Sequence, residues 1–319
     1  MTTTISCVIP CYGSRDTIIN VVDNLRCEFY SRKDYQYELV LVNDASPDNL
    51  LDILIELTKT DSNIKVVDLS RNFGQHSAIM AGINNAIGDI FVFLDDDGQT
   101  PPSQIWKLID ALDDSCDVVY GRYEIKHHSL LRNFGSSIND FMARLLIDKP
   151  KKLSLSSYFA CKSFVVSELT MYKGCFPYLA GLVLRTTKRI KNVTVEHKVR
   201  EHGVSGYNFR KLLTLWLNGF TAFSIKPLRI ATVMGMIVAS FGFFYGLFII
   251  GRSLFFVSEA PMGWNSLMAV LLLIGGMIMI MLGMIGEYIG RIYMNINNSP
   301  LFVIRERYGF DGVKVGSKS

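Results

Sequence analysis

Short apolar, β-branched runs alternate with amphipathic stretches along the first part of the chain. "ISCVIP", "YELVLVND", "IKVVDLS", "IFVFLDDD" and "DVVYGR" read as strands, and the segments between them carry helical spacing, with helix starts near Asp48, Gln75 and Pro102. Strands that are apolar nearly throughout, rather than alternating, are those buried on both faces of a parallel sheet, with the intervening helices as cover. Ligands of such sheets gather at the carboxyl ends of the strands. The polar residues collect there: Tyr12, Asn43 and Asp44, Arg71, Asp95 to Gln99, and Arg122.

The pattern changes in the C-terminal third. "IATVMGMIVASFGFFYGLFIIG" (Ile230 to Gly251) and "MGWNSLMAVLLLIGGMIMIMLGMIG" (Met262 to Gly286) contain no charged residue. Each exceeds the roughly 20 helical residues needed to cross a hydrocarbon core about 30 Å thick. Two membrane spans are therefore expected, over 230–256 and 262–287. The linker between them carries only Arg252 and Glu259, whereas Arg210, Lys211, Lys226 and Arg229 precede the first span and Arg291, Arg305 and Arg307 follow the second. By the positive-inside bias, both ends of this hairpin face the cytoplasm.

Upstream of the hairpin, Phe209, Leu212, Leu213, Trp216, Leu217 and Phe220 recur at mostly helical spacing beside Arg210 and Lys211. That pattern fits an interfacial helix over 208–229 with Trp216 as its anchor, or an amphipathic helix packed on its own domain. The expected organisation is thus an α/β domain over 1–207, the interfacial helix, the hairpin over 230–290 and a cytoplasmic tail over 291–319. "MTTTISCVIP" has no basic segment followed by a long apolar run, so no cleavable signal peptide is expected.

Charge is distributed unevenly. Residues 1–121 carry 8 Lys/Arg against 19 Asp/Glu, and residues 122–229 carry 19 against 6. The acidic part suits a metal-dependent site, and the basic part suits a phosphate-bearing partner, an anionic membrane surface or a solvated basic face. Nucleic acid is not an expected partner. The six cysteines show no CxxC pair or zinc spacing and read as reduced thiols of a cytosolic compartment. Neither GxGxxG after the first strand nor GxxxxGK[ST] occurs, which removes a dinucleotide fingerprint and a P-loop.

The candidate chemistry centres on "FVFLDDDGQTPP", Phe91 to Pro102. If the backbone stays extended beyond the strand, Asp95, Asp97 and Gln99 project to one side and Asp96 to the other. Two carboxylates and an amide oxygen are hard ligands of the kind that hold Mg²⁺ or Mn²⁺ with positions left for water and phosphate oxygens. The alternative is an acidic loop with helix-capping duty.

The ordered set "VIPCY", "LVNDAS", "LSRNFGQHSAIMAG", "LDDDGQTPP", "VVYGR" and "REHGVSGYN", followed by paired apolar helices, resembles family 2 glycosyltransferases. Within these it is similar to the polyprenyl-phosphate glycosyltransferases, which include dolichyl-phosphate mannose synthases and bacterial bactoprenol glucosyltransferases. The resemblance spans residues 5 to about 305. It implies a GT-A fold (Rossmann-like, mostly parallel sheet) and inverting transfer from a nucleotide-diphosphate sugar, UDP favoured, to polyprenyl phosphate at the cytoplasmic membrane face. The product would be a lipid-linked sugar for the cell envelope.

The same resemblance implies a metal on Asp95, Asp97 and Gln99. It puts the nucleotide near Pro10, Tyr12, Asp44, Arg71 and Asp95, and the diphosphate or acceptor phosphate near Arg122, Arg132, Arg200 and Ser205. Asp95, Asp97, Arg122 and Arg200 are then the residues expected to act in transfer. Arg suits bidentate phosphate contact better than Lys, which favours Arg200 as the clamp. Homo-oligomers are common among such hairpin-bearing enzymes.

The chain departs from its relatives in three places. Ser14 stands where many have Glu, Ser157-Tyr158-Phe159 where many have Asp-Phe-Arg, and Gly206 where Lys is common. Asp96 occupies a position where relatives accept Ala and is the acid expected to be expendable. His76 is expected to form a loop-to-helix hydrogen bond, and His127 and His128 to lie at the surface. The stripe from Leu130 to Leu145 is core or membrane-facing. A processive polysaccharide synthase is disfavoured because no Gln follows Gln104 and QxxRW is therefore absent. A catalytically silent membrane scaffold of the same fold is the other alternative.

Overall fold

A computed structural model describes residues 2–123, 149–196, 263–297 and 299–310, with Arg144 and seven helical positions between 233 and 244. Arg132, Arg200, Ser205, Gly206, His127, His128, the expected interfacial helix, most of the 130–145 stripe and most of the first apolar stretch lie outside the described residues.

The strands are β1 (Thr3–Cys11), β2 (Tyr35–Asn43), β3 (Ile64–Leu69), β4 (Ile90–Phe93), β5 (Val118–Tyr123), β6 (Phe159–Lys162), β7 (Ile190–Val195) and β8 (Ile304–Tyr308). They form one sheet in the order β7-β5-β6-β4-β1-β2-β3-β8. The β1/β2, β1/β4, β2/β3 and β5/β7 pairs are parallel. Strand β6 runs antiparallel to both β4 and β5, and β8 antiparallel to β3. The fold is the Rossmann-like, mostly parallel sheet of GT-A enzymes.

Three of these strands were not expected from the sequence. Strand β6 is only four residues long, and "IKNVTV" and "IRERY" of β7 and β8 are edge strands with charged positions rather than apolar runs. Charge on an edge strand blocks further pairing, so the residues that protect the edge also hide it from a hydrophobicity reading.

Helices α1 (Ile18–Ser31), α2 (Leu50–Thr60) and α3 (Gln75–Ile83) cover the sheet. Helix α4 (Ile105–Ile109) follows a 3-10 turn at Pro102–Gln104 and is shorter than its sequence pattern, and α5 (Ser163–Thr170) and α6 (Leu179–Thr186) complete the domain. Helix α1 buries Ile18, Val21, Val22, Leu25 and Phe29, the apolar stripe of an amphipathic helix. Helix α3 is buried from Ser77 through Ile83. It packs closely on the sheet at Gly82, where a Cβ would lie 2.4 Å from Val8 Cγ1 and 3.1 Å from Val42 Cγ2.

The chain divides into two units, Met1–Asn208 with Pro300–Ser319, and Phe209–Ser299. The residues after the second apolar stretch therefore rejoin the α/β sheet as β8. Within the second unit, α7 (Trp264–Ile296) runs 33 residues, about 50 Å, and continues past the expected end at Gly286 through Glu287 and Arg291. Among the described residues it is the one helix long and apolar enough to cross a membrane, over Ile274–Ile296.

Because Val8 and Val42 are β-branched and cannot swing away from α3, Gly82→Ala should destabilise the domain by about 1–3 kcal/mol. Its urea unfolding midpoint, followed by circular dichroism, should fall accordingly.

Candidate active site

The site forms where β1, β2, β3 and β4 end on one side of the sheet. Strand β4 stops at Phe93 and the chain turns through Asp96 and Asp97, with Gly98 at φ +69. The extended path assumed for "LDDDGQ" is thus replaced by a turn, which the Asp97 side chain closes by accepting the Gln99 N–H at 3.0 Å. Only glycine adopts this φ without strain.

The turn separates the three carboxylates. Asp95 Oδ1 accepts from Gln75 Nε2 at 2.7 Å, and Asp95 Oδ2 accepts from the Ser157 hydroxyl. Asp96 faces the β1–α1 loop instead, where its Oδ2 accepts the Tyr12 N–H at 2.9 Å and its carbonyl accepts Thr17 Oγ1 at 2.7 Å. Burial, followed by the charges of Asp95 and Asp97, pushes the Asp96 carboxyl up to about 6 against the opposing pull of its hydrogen bonds. Asp96 therefore has a structural task, and its expected expendability is corrected: it anchors the loop that carries Tyr12.

Tyr123, at the end of β5, connects the other two acids. Its hydroxyl lies 3.1 Å from Thr100 Oγ1, and its pKa is raised by burial and by the charges of both Asp95 and Asp97. These groups line one side of the turn.

On the other side, the loops after β1 and β2 are tied together. Gly13, at φ +68, donates its N–H to Ser46 Oγ at 2.7 Å, Ser46 Oγ donates to Asp48 Oδ1 at 2.6 Å, and Arg15 N–H reaches Asp48 Oδ2 at 3.1 Å. This leaves Tyr12 53% exposed, an aromatic surface on a fixed backbone. Pro10 is half-buried beside it in β1.

Asp44 is 3% exposed, and its two oxygens accept the N–H groups of Phe73 and Gly74 at 2.7 and 2.8 Å. Burial raises its pKa while these two bonds lower it. In this structure Asp44 shapes the β3–α3 loop rather than presenting a free edge to a nucleoside. Arg71, exposed in that loop, lays its guanidinium 4.7 Å from the centre of the Phe73 ring. Arg122 is exposed near the end of β5.

His76 does not make the expected bond through Nδ1, which is buried without a hydrogen-bond partner. Its ring meets Tyr178 edge-on at 5.6 Å, and burial lowers its pKa. Ser14 is buried, and its Oγ has no partner of good geometry, although it lies beside Asp96.

No three His, Cys, Asp or Glu side chains gather in a metal-holding arrangement among the described residues. The candidate set is smaller, with two carboxylates and the Gln99 amide. Gln75 and Ser157 donate to Asp95, which fixes it as an oriented anion, and each carboxylate oxygen retains acceptor capacity beyond one hydrogen bond. This donor chemistry fits a hard divalent cation whose remaining positions go to phosphate and water. Sequence spacing did not reveal Gln75, Ser157, Tyr123 or Ser46 as members of this site, since each reaches it from a different loop or strand end.

Glycosyl transferase family 2 matches residues 6–167, and the GtrB C-terminal hairpin matches residues 226–292. The chain belongs to glycosyl transferase family 2 and is a glycosyltransferase, with the hairpin of the polyprenyl-phosphate branch. It is 32% identical over 311 residues to the undecaprenyl-phosphate 4-deoxy-4-formamido-L-arabinose transferase of Proteus mirabilis, covering 96% of this chain and 94% of that protein. It is equally 32% identical over 314 residues to the uncharacterized glycosyltransferase YkcC of Bacillus subtilis, covering 97% and 96%. The fold is similar to that of glucosyl-3-phosphoglycerate synthase from Mycobacterium tuberculosis, solved with Mn²⁺ and UDP-glucose, at a TM-score of 0.51 and 18% identity over 73% of this chain and 78% of that one.

The division of the acids predicts different losses. Asp97→Ala should weaken Mn²⁺ binding by at least about tenfold in isothermal calorimetry. Asp96→Ala should keep Mn²⁺ affinity within about threefold but cost about 1–3 kcal/mol of stability, because the Tyr12 N–H loses its acceptor.

Proposed function

We propose that the protein transfers a sugar from a nucleotide-diphosphate sugar, a UDP-sugar by preference, to polyprenyl phosphate at the cytoplasmic face of the cell membrane. The observation that carries this reading is the end-to-end match to undecaprenyl-phosphate sugar transferases, which spans both the α/β domain and the hairpin. The substrate classes come from those relatives, and the site offers chemistry suited to them.

Asp95, held by Gln75 and Ser157, Asp97 and Gln99 are the residues that would hold Mg²⁺ or Mn²⁺. The ion supplies neutralisation of the charge that grows on the departing nucleoside diphosphate. Tyr12 offers a stacking face to the base, beside Pro10, and Asp44 keeps the Arg71 loop in the shape that frames the nucleotide. Arg71, Arg122 and Arg200 are assigned to the diphosphate, and Arg132, Arg200 and Ser205 to the acceptor phosphate.

In the transfer, an oxygen of the acceptor phosphate forms its bond to the anomeric carbon from the face opposite the leaving group. The bond from that carbon to the nucleotide's β-phosphate oxygen breaks, and its electron pair leaves with the diphosphate, inverting the configuration. A phosphate monoester has a second pKa near 6 and is largely a dianion at neutral pH, so the nucleophile needs no general base. Ser157 suits this chemistry, since it orients Asp95 without adding a carboxylate that would repel the incoming dianion.

Membrane attachment follows from topology. Strand β8 closes the same sheet as β1, so the stretch 209–299 begins and ends in one compartment and crosses a bilayer an even number of times if it crosses at all. Helix α7 leaves Leu267, Leu271, Ile278, Leu282, Ile289 and Ile292 exposed, an apolar surface suited to lipid. Gly235 lies so near this helix that a Cβ would meet the Met281 terminal methyl at 2.6 Å, which supports a second helix packed along it. We assign both ends of the hairpin to the cytoplasm and the assembly to a homo-oligomer.

The test is transfer by the purified protein to undecaprenyl phosphate across a panel of UDP- and GDP-sugars, with the lipid product read by mass spectrometry. EDTA should abolish product and Mg²⁺ or Mn²⁺ restore it, and Asp97→Asn should reduce kcat by at least about a hundredfold. Absence of metal-dependent product with every donor would sink the reading.

A further inference from the structure

The C-terminal strand β8 stands far from the site in sequence but is bonded to both loops that frame its nucleotide end. Its register on β3 shifts between Asp68 and Leu69: Asp68 pairs with Glu306, and Leu69 with Ile304. Arg305 is therefore the extra residue of a β-bulge, and bulges turn a side chain out of its normal alternation. The Arg305 side chain is turned toward the carboxyl end of β3.

Two connections start there. In the first, Ser70 is held on both backbone groups, its N–H donating to the Val303 carbonyl at 2.9 Å and its carbonyl accepting Arg305 Nη2 at 2.9 Å. Ser70 precedes Arg71, and the loop it opens ends at the Phe73 and Gly74 N–H groups clamped by Asp44.

In the second, Arg305 Nη1 stands 3.9 Å from Asp68 Oδ2. Asp68 is 1% exposed, and this oxygen has no hydrogen bond, so Arg305 is the cation that offsets its buried charge. The other oxygen accepts Asn43 Nδ2 at 2.8 Å, Asn43 Oδ1 accepts the Ser46 N–H at 3.2 Å, and Ser46 Oγ holds the Gly13 N–H at 2.7 Å. The relay thus runs from β8 through three side chains to the backbone beside Tyr12. The orientation of Asn43 is set by its neighbours: with the amide donating to Asp68, its oxygen must face Ser46.

We propose that Arg305 is a positioning residue for the nucleotide, and that β8 serves as a clasp that holds the Tyr12 and Arg71 loops in their ligand-ready shape. A protein with a loosened clasp would keep its sheet and its metal ligands but have to order two loops on binding, and that ordering lowers affinity. The consequence is a chain whose nucleotide pocket is completed only after the residues that follow the apolar helix α7 have been added to the sheet. This inference rests on the reading of the site as one for a nucleotide sugar.

The experiment uses the full chain and measures UDP and GDP binding with Mn²⁺ by calorimetry, alongside thermal unfolding and donor kinetics. Arg305→Ala should weaken the nucleotide that the wild type binds by about tenfold, a loss of about 1.4 kcal/mol. The donor KM should rise by a similar factor with kcat within about twofold. Arg305→Lys, which keeps the charge beside Asp68, should recover most of the affinity.

Arg307→Ala is the control, since Arg307 on the same strand bonds only Asn85 among the printed contacts of its guanidinium, at 2.7 Å, away from both loops. It should leave affinity unchanged. Equal losses in Arg305→Ala and Arg307→Ala, or no loss in Arg305→Ala, would overturn the proposal. Should Arg305→Ala fold poorly, Asn43→Ala interrupts the relay beyond Asp68 and should give the same rise in donor KM, with an unchanged KM again overturning it. Wild-type protein that binds neither nucleotide would instead overturn the reading of the site.

Discussion

Three adjacent carboxylates at the end of a buried strand are the constraint around which this molecule is arranged. Like charges so close are costly in a partly buried setting, and the structure meets the cost by sending them in different directions. Asp96 is taken up by the Tyr12 backbone, and Asp95 is fixed by Gln75 and Ser157, while Asp97 closes its own turn on Gln99. Asp95 and Asp97 both act on Tyr123, and a divalent cation is the natural counter-charge on that side. The repulsion left by the turn becomes the driving force for holding a metal and, through it, a diphosphate.

The site is built almost wholly by donors whose partners lie in other loops. Asp44 spends both oxygens on the Phe73 and Gly74 N–H groups, and Ser46 ties Gly13 to Asp48. Backbone held this way is ordered before a ligand arrives, so less binding energy is lost to ordering it. Several side chains that look like ligand contacts are thus the frame that presents contacts: Asp44 supports Arg71, and Asp96 supports Tyr12. An acid in a family motif can serve the substrate at one remove.

The same logic extends to the part of the chain concerned with the membrane. An enzyme that joins a water-soluble donor to a lipid phosphate has to keep a folded domain beside a bilayer. Here the chain returns from its apolar stretch to add an eighth strand to the sheet. That return fixes both ends of the stretch to one compartment, and it sets a charged edge strand beside β3. Arg305 supplies the cation that buried Asp68 otherwise lacks.

By itself, the sequence determined what depends on local pattern. Continuous apolar runs separated by helical spacing defined the parallel core of the sheet, because burial on both faces admits few polar residues. The ordered motifs defined the family, and uncharged stretches longer than a bilayer is thick marked the region of the hairpin. Only the tertiary structure decided what depends on contacts between distant residues. The short or charged strands β6, β7 and β8 have no apolar signature of their own and exist through their neighbours. Asp96 and Asp97 were divided by a turn that an extended-strand argument could not anticipate, since Gly98 permits a left-handed backbone without requiring it. Gln75 and Ser157 join Asp95 across 20 and 62 residues, and no spacing rule encodes such distances, because hydrogen bonds between loops follow the packing of the sheet and not the order of the chain.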